Sequence, residues 1–162
     1  MGKFRMLVAC LPFLTLPVVA GSWRYDAGPR ATIYDDNFKM GLGGEFGAIN
    51  ALNSDWDYGA HLNYTYFRPK TTTWTSAQEF GGYGTLYYLP KLDQPYSLRL
   101  GPHFGFSYIR DFYLDLGGDL MAYFPVQAQT QFYVAFIPAF FIGKHSQALV
   151  RVGIGLEYHP GL

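Results

Sequence analysis

Val150-Arg151-Val152-Gly153-Ile154-Gly155-Leu156-Glu157-Tyr158 is the stretch on which the fold turns. Its even positions, Val150, Val152, Ile154, Leu156 and Tyr158, are apolar. Its odd positions, Arg151, Gly153, Gly155 and Glu157, are charged or carry no side chain. A period of two puts successive side chains on opposite faces of a β-strand. A helix, with its period of 3.6, would scatter these five apolar residues around its circumference.

The same rhythm runs back through the chain. It marks eight segments, 22–34, 38–48, 56–67, 78–89, 96–108, 112–124, 131–142 and 148–158. Turn-like breaks separate them at 34–37, 49–55, 68–77, 90–95, 109–111, 125–130 and 143–147. No linker or composition shift divides the chain, and no long internal repeat stands out. From the second segment onward the apolar face falls on even numbers, as in Met40, Leu42 and Phe46 or Leu98, Leu100, Phe104 and Phe106. The first segment uses odd numbers: Trp23, Tyr25, Ala27, Ala31 and Ile33. The opposite face carries Arg24, Asp26, Arg30, Lys39, Glu45, Asp57, Glu79, Arg99, Asp115, Asp119, Arg151 and Glu157, and the apolar face carries no charge.

Composition narrows the class. The 162 residues hold 12 Lys+Arg and 12 Asp+Glu, so there is no basic signature for nucleic acid. Charged residues make up 15 %, against about 25 % in soluble domains. Aromatics reach 19 %, too much apolar surface for a disordered chain. Gly and β-favouring aromatics displace the helix formers a bundle needs. After the N-terminal region, the longest apolar run is 132–143, interrupted by Pro138, where a spanning helix requires about 20 residues.

Residues 1–20 read as a secretory signal: Lys3 and Arg5, then an uncharged apolar stretch, then Val18 and Ala20 before a cut ahead of Gly21. The alternative, a lipid anchor on Cys10 after Leu7-Val8-Ala9, leaves only four apolar residues between Arg5 and Cys10. Cleavage leaves one domain, 21–162, with no cysteine, which argues against a disulfide scaffold.

Eight alternating segments can close into a soluble barrel with an apolar cavity or a transmembrane barrel with an apolar outside. Three details favour the membrane. The polar face is rich in Gly (Gly41, Gly43, Gly47, Gly59, Gly101, Gly105 and others) and holds few Lys or Glu, as suits a tight lumen. Trp23, Tyr25, Trp56, Tyr58, Tyr66, Tyr88, Tyr96, Tyr108 and Tyr158 sit near segment ends, as in the aromatic girdles of membrane barrels. Each segment is also long enough for the roughly 9–11 tilted residues of a crossing. The expected fold is therefore all-β, a closed antiparallel transmembrane β-barrel of eight strands. Pro29, Pro102 and Pro138 lie inside segments, so bulges or pairing defects are expected there.

In this pattern the chain resembles the small outer-membrane barrels of the OmpA/OmpX kind. The final strand, with Val150, Val152, Ile154, Leu156 and Tyr158, looks like the C-terminal signal such proteins present for assembly. The family usually ends on that aromatic residue, whereas His159-Pro160-Gly161-Leu162 follow here. The resemblance implies a Gram-negative-type outer membrane, with both termini in the periplasm. The implied partners are lipopolysaccharide and phospholipid, and during biogenesis the barrel-assembly machinery and periplasmic chaperones.

Two families of lipid A-modifying enzymes use such barrels, and neither pattern is met. None of His61, His103, His145 and His159 is followed two residues later by Ser, and 21–37 does not read as an amphipathic helix. No metal-ligand spacing is present and no cofactor is expected. The expected site is a polar lumen network of Glu45, Asp57, His61, Glu79, Tyr83, Arg99, His103, Asp115, Asp119, Arg151 and Glu157, in which buried charges pair. Folding the hairpins about their breaks sets Tyr83 opposite His61, His103 opposite Tyr83 and Asp119, and Ser107 opposite Glu79 and Asp115. The function expected is a structural or interaction role with a largely plugged lumen. A narrow solute channel is the alternative, and a lipid A-modifying enzyme a more distant one.

Overall fold

The computed structural model describes residues 23–34, 38–69 and 77–160. The cleavage expected before Gly21 lies outside them. Each alternating segment is a strand: β1 (Arg24–Tyr34), β2 (Phe38–Ala51), β3 (Trp56–Pro69), β4 (Ala77–Tyr88), β5 (Ser97–Ile109), β6 (Asp111–Gln127), β7 (Thr130–Ile142) and β8 (Gln147–Tyr158). Each pairs antiparallel with its sequence neighbour, and β1 pairs with β8 to close the barrel. Closure removes the free edges that lipid would not tolerate. Several breaks are shorter than the turn residues suggest. The ladder between β5 and β6 continues to Ile109 opposite Asp111, leaving Arg110 alone at the tip with a φ of 63°. The β6–β7 ladder likewise runs on past Pro125 to Gln127 opposite Thr130, with a register shift between the two.

The two faces sort as a membrane barrel requires. Leu62 is 65 % and Phe104 58 % exposed on the outside, whereas Arg151 and Glu157 are completely buried inside. The exterior is apolar on every strand, far beyond the patches a water-soluble monomer exposes. A soluble barrel with an apolar cavity is thereby excluded. At the end where β1 begins and β8 ends, outward aromatics pack around much of the circumference. Trp23 meets Tyr58 at 6.2 Å, Trp56 meets Tyr88 at 5.3 Å, and Phe124 meets Tyr96 at 6.0 Å and Phe132 at 6.4 Å. At the other end Tyr64 pairs with Phe80 at 5.0 Å, and Phe106 with Phe112 at 5.8 Å.

The three prolines produce pairing defects and not bulges. The β1–β8 ladder stops at Ala27–Leu156 and resumes at Arg30–Gly153 with the register unchanged. The β4–β5 ladder skips in the same way around Pro102, and the β6–β7 ladder around Pro138. A missing N–H removes a rung without adding a residue, so the strands stay aligned.

Register also reveals an internal repeat that the sequence does not advertise. Gly28-Pro29-Arg30 of β1 lies opposite Glu45, Gly44 and Gly43 of β2. Gly101-Pro102-His103 of β5 lies opposite Asp119, Gly118 and Gly117 of β6 in the same alignment. Each motif thus sets a basic side chain and a carboxylate inward around glycines, with a Pro–Gly pair facing out.

Candidate functional site: the polar lumen

All eleven residues expected in the lumen network point inward, because strand alternation leaves them no other face. They form layers. Nearest the start of β1 and the end of β8, Arg24 binds Asp57 at 2.5 Å, and Asp57 also meets Arg99 Nε at 3.0 Å. Arg99 grips Glu157 with both terminal nitrogens, one of them at 3.1 Å. Its guanidinium lies 4.0 Å from the centre of the Tyr123 ring. His159, just past the last strand, reaches back to Glu157 at 2.6 Å, and its N–H donates to the Gln129 carbonyl. An apolar layer of Ile49, Tyr87, Met121, Tyr123, Tyr133, Ala135 and Ile137 packs beside this cluster.

The middle layer is the most connected. Asp119 accepts from Thr85 and Tyr87, each at 3.0 Å, and lies 2.6 Å from His103 Nδ1. The other ring nitrogen of His103 is 3.2 Å from Asp115. Arg151 donates to Asp115 at 2.5 Å and to Glu79 at 3.1 Å. Glu79 also accepts from Asn63 and Ser107, each at 3.0 Å. Glu45 pairs with Arg30 and accepts from the Tyr83 hydroxyl at 2.7 Å. The Tyr83 ring is sandwiched between the imidazoles of His61 and His103, at 4.9 and 4.8 Å.

Tyr87 has one hydroxyl proton and gives it to Asp119, so its oxygen accepts from His61 Nε2 at 2.9 Å. His61 Nδ1 is then turned toward Glu45 and Asp26, at 3.6 and 3.7 Å. Beyond this layer the far end of the lumen is apolar, filled by Phe67, Ala77, Ile109, Tyr113, Ala139, Phe141 and Leu149. The two-sided apolar pattern of the seventh segment has its cause here, since the inward Tyr133, Ala135, Ile137, Ala139 and Phe141 supply part of both apolar layers.

Four expected pairings are displaced by two residues. His103 stands opposite Thr85 and Gly117, not Tyr83 and Asp119, and Ser107 stands opposite Gly81 and Tyr113, not Glu79 and Asp115. Tyr83 does face His61. The slip arises because the β5–β6 turn centres on Arg110 alone and the β4–β5 connection centres one residue later than its prolines suggest. His103 still reaches Asp119 and Ser107 still reaches Glu79, because inward side chains meet diagonal neighbours.

Asp26, Arg30, Asn63, Thr85, Tyr87 and Ser107 also belong to the network. Alternation alone places them on the inner face. Nothing in the sequence says which of them bond, since that depends on register. The hydroxyls of Ser107 and Thr85 donate to carboxylates, and both nitrogens of His103 face carboxylates. This arrangement holds charges in place and offers no serine or threonine activated by an imidazole. Among the described residues no group of three His, Cys, Asp or Glu side chains is arranged to hold a metal ion.

No protein-family model and no curated protein matches the sequence. Solved structures do match. Neisserial surface protein A, NspA, superposes with a TM-score of 0.66 at 11 % identity, over 85 % of this chain and 96 % of that one. Ail, the attachment invasion locus protein of Yersinia pestis, gives 0.55 at 14 % identity over 85 % and 97 %. The outer membrane protein OprG from Pseudomonas aeruginosa gives 0.56 at 11 % identity over 85 % and 95 %. At such identity the likeness is one of architecture. The apolar exterior, the buried polar side chains inside and these superpositions agree, and the chain has the fold of the small eight-stranded outer-membrane β-barrels.

Proposed function

We propose that this chain is an integral outer-membrane protein with a structural or interaction role, whose lumen is a plug and not a conduit. The observation that supports the reading is the set of buried side chains inside the barrel, with ion-paired groups lying between and beside two apolar clusters. Moving a solute through would require breaking several buried charge pairs, each costly to leave unpaired. In planar bilayers at neutral pH the purified protein is expected to give no stepwise conductance. Steady unitary currents that change on substitution of Glu79 or Asp119 would overturn the plug and favour the channel. Lipid A from cells with and without the protein is expected to have the same mass, and an altered acyl pattern would make it an enzyme. Lipopolysaccharide and phospholipid are its surroundings in this reading, and the strand ending at Tyr158 is its signal to the assembly machinery and chaperones. Tyr158→Ala is then expected to slow assembly into the heat-modifiable form.

A further inference from the structure

We infer that the barrel is built as two four-stranded halves, β1–β4 and β5–β8, and that Glu79 and Asp119 clasp these halves across two seams that the backbone holds weakly. The inference deepens the reading of a filled lumen, because it gives the central carboxylates a mechanical task. The halves carry the same motif in the same register, Gly28-Pro29-Arg30 against Gly43-Gly44-Glu45 and Gly101-Pro102-His103 against Gly117-Gly118-Asp119. In each half the proline sits on the first strand, and the rungs it removes face the other half. Those rungs are missing from the β1–β8 and β4–β5 ladders at mid-strand, while the β1–β2 and β3–β4 ladders run without a gap and the β2–β3 ladder is interrupted only near its end, by a register shift between Phe38 and Gly41. A third gap, at Pro138, falls inside the second half.

The carbonyls at the two seams turn toward the lumen. A Cβ built on Gly28 would run into the Ile154 carbonyl oxygen, and one on Gly101 into that of Leu86; Gly43 meets the Tyr64 carbonyl oxygen as closely inside the β2–β3 ladder, so the missing rungs and not this approach mark the seams. A carbonyl without a donor is expensive in hydrocarbon, so an inward tilt, which only a glycine opposite permits, moves it away from lipid. The seams therefore lose backbone cohesion at mid-depth.

Side chains restore it reciprocally. Glu79, from the first half, accepts from Ser107 and Arg151 of the second at 3.0 and 3.1 Å. Asp119, from the second half, accepts from Thr85 and Tyr87 of the first at 3.0 Å each. Each half thus contributes one buried carboxylate that holds two donors of the other. Glu45 differs, because its partners Arg30 and Tyr83 both lie in its own half.

Amide hydrogen exchange on the full-length barrel in lipid nanodiscs tests this. In the wild type, amides that face the seams beside the gaps (Ala27, Ile154, Leu86, Leu100) are expected to exchange at least about tenfold faster than Ala48 and Ala60 in the β2–β3 ladder, as local opening along a seam predicts. Asp119→Ala and Glu79→Ala each remove the single oxygen that accepts both donors of the other half. Both are expected to raise seam exchange further while leaving β2–β3 protected, whereas Glu45→Gln raises it little. Pro102→Val supplies a donor at the β4–β5 seam and is expected to slow exchange there. Uniform protection around the wild-type barrel would overturn the inference, even if a carboxylate variant failed to assemble. So would a Pro102→Val barrel with unchanged seam exchange. A conducting but seam-labile barrel would defeat the plug and leave the clasp standing.

Discussion

Asp119 is a carboxylate with three donors around it and almost no contact with solvent. Asp119→Ala strips the acceptor from Thr85, Tyr87 and His103 at once. The cost of buried donors left unpaired is roughly 1–3 kcal/mol. Unfolding in urea from detergent micelles is expected to show that loss, and a barrel as stable as wild type would mean these bonds contribute nothing. A glycine shows the opposite sensitivity, to an added atom. Gly101 faces the lumen, on the face that alternation makes rich in small residues. The Leu86 carbonyl occupies the place its Cβ would take. Gly101→Ser is therefore expected to destabilise the barrel by about 1–3 kcal/mol, the usual penalty of overpacking, again read from the urea midpoint.

Among the elements, the β2–β3 and β4–β5 connections behave as ordinary solvated protein. Asp55, in the β2–β3 turn, meets Lys91 of the β4–β5 connection at 2.9 Å, with both side chains largely in water. The hydrogen bond from Lys91, helped by Ser54, holds the Asp55 carboxyl below its ordinary range, and the same contact holds the Lys91 ammonium above its own. A depressed carboxyl pKa adds stability that is present above the unfolded value, about 3.9 for Asp, and lost as pH falls through the folded one. A raised ammonium pKa adds stability that is present below the unfolded value and lost as pH rises through the folded one. The pair therefore acts between strong acid and strong base and weakens with salt. In Lys91→Ala, the Asp55 carboxyl followed by NMR is expected to titrate higher than in the wild type. An unchanged titration would show that the turns are not in contact in solution.

Across the whole molecule the decisive quantity is depth in the bilayer. Phe104 lies beside the centre of β5 and faces out, while Tyr108 faces out near the strand's end. Arginine on the lipid face costs about 2–4 kcal/mol at the midplane and about 0–1 near an interface. Phe104→Arg is therefore expected to lower the stability of the lipid-embedded barrel clearly more than Tyr108→Arg. Equal losses at the two sites would remove the membrane normal from its assumed alignment with the barrel axis. The same comparison in detergent, where no fixed thickness exists, is expected to narrow the difference.

The sequence by itself determined the number of strands, the face each residue takes and the polarity of inside against outside. These follow from a period of two and from where Trp and Tyr fall, both local properties of the chain. Val150 to Tyr158 alone shows the alternation, and Phe67 and Glu79 obey it as faithfully as Arg151. Which inward residues bond to which was decided only by the closed barrel. Alternation cannot distinguish a register from one shifted by two residues, because both put the same side chains inside. Hence His61 was legible opposite Tyr83, whereas His103 sits two residues from its expected place and reaches Asp119 along a diagonal. The glycine–proline repeat was hidden for the same reason. Its likeness lies in cross-strand alignment, a relation between residues brought together only when the sheet closes.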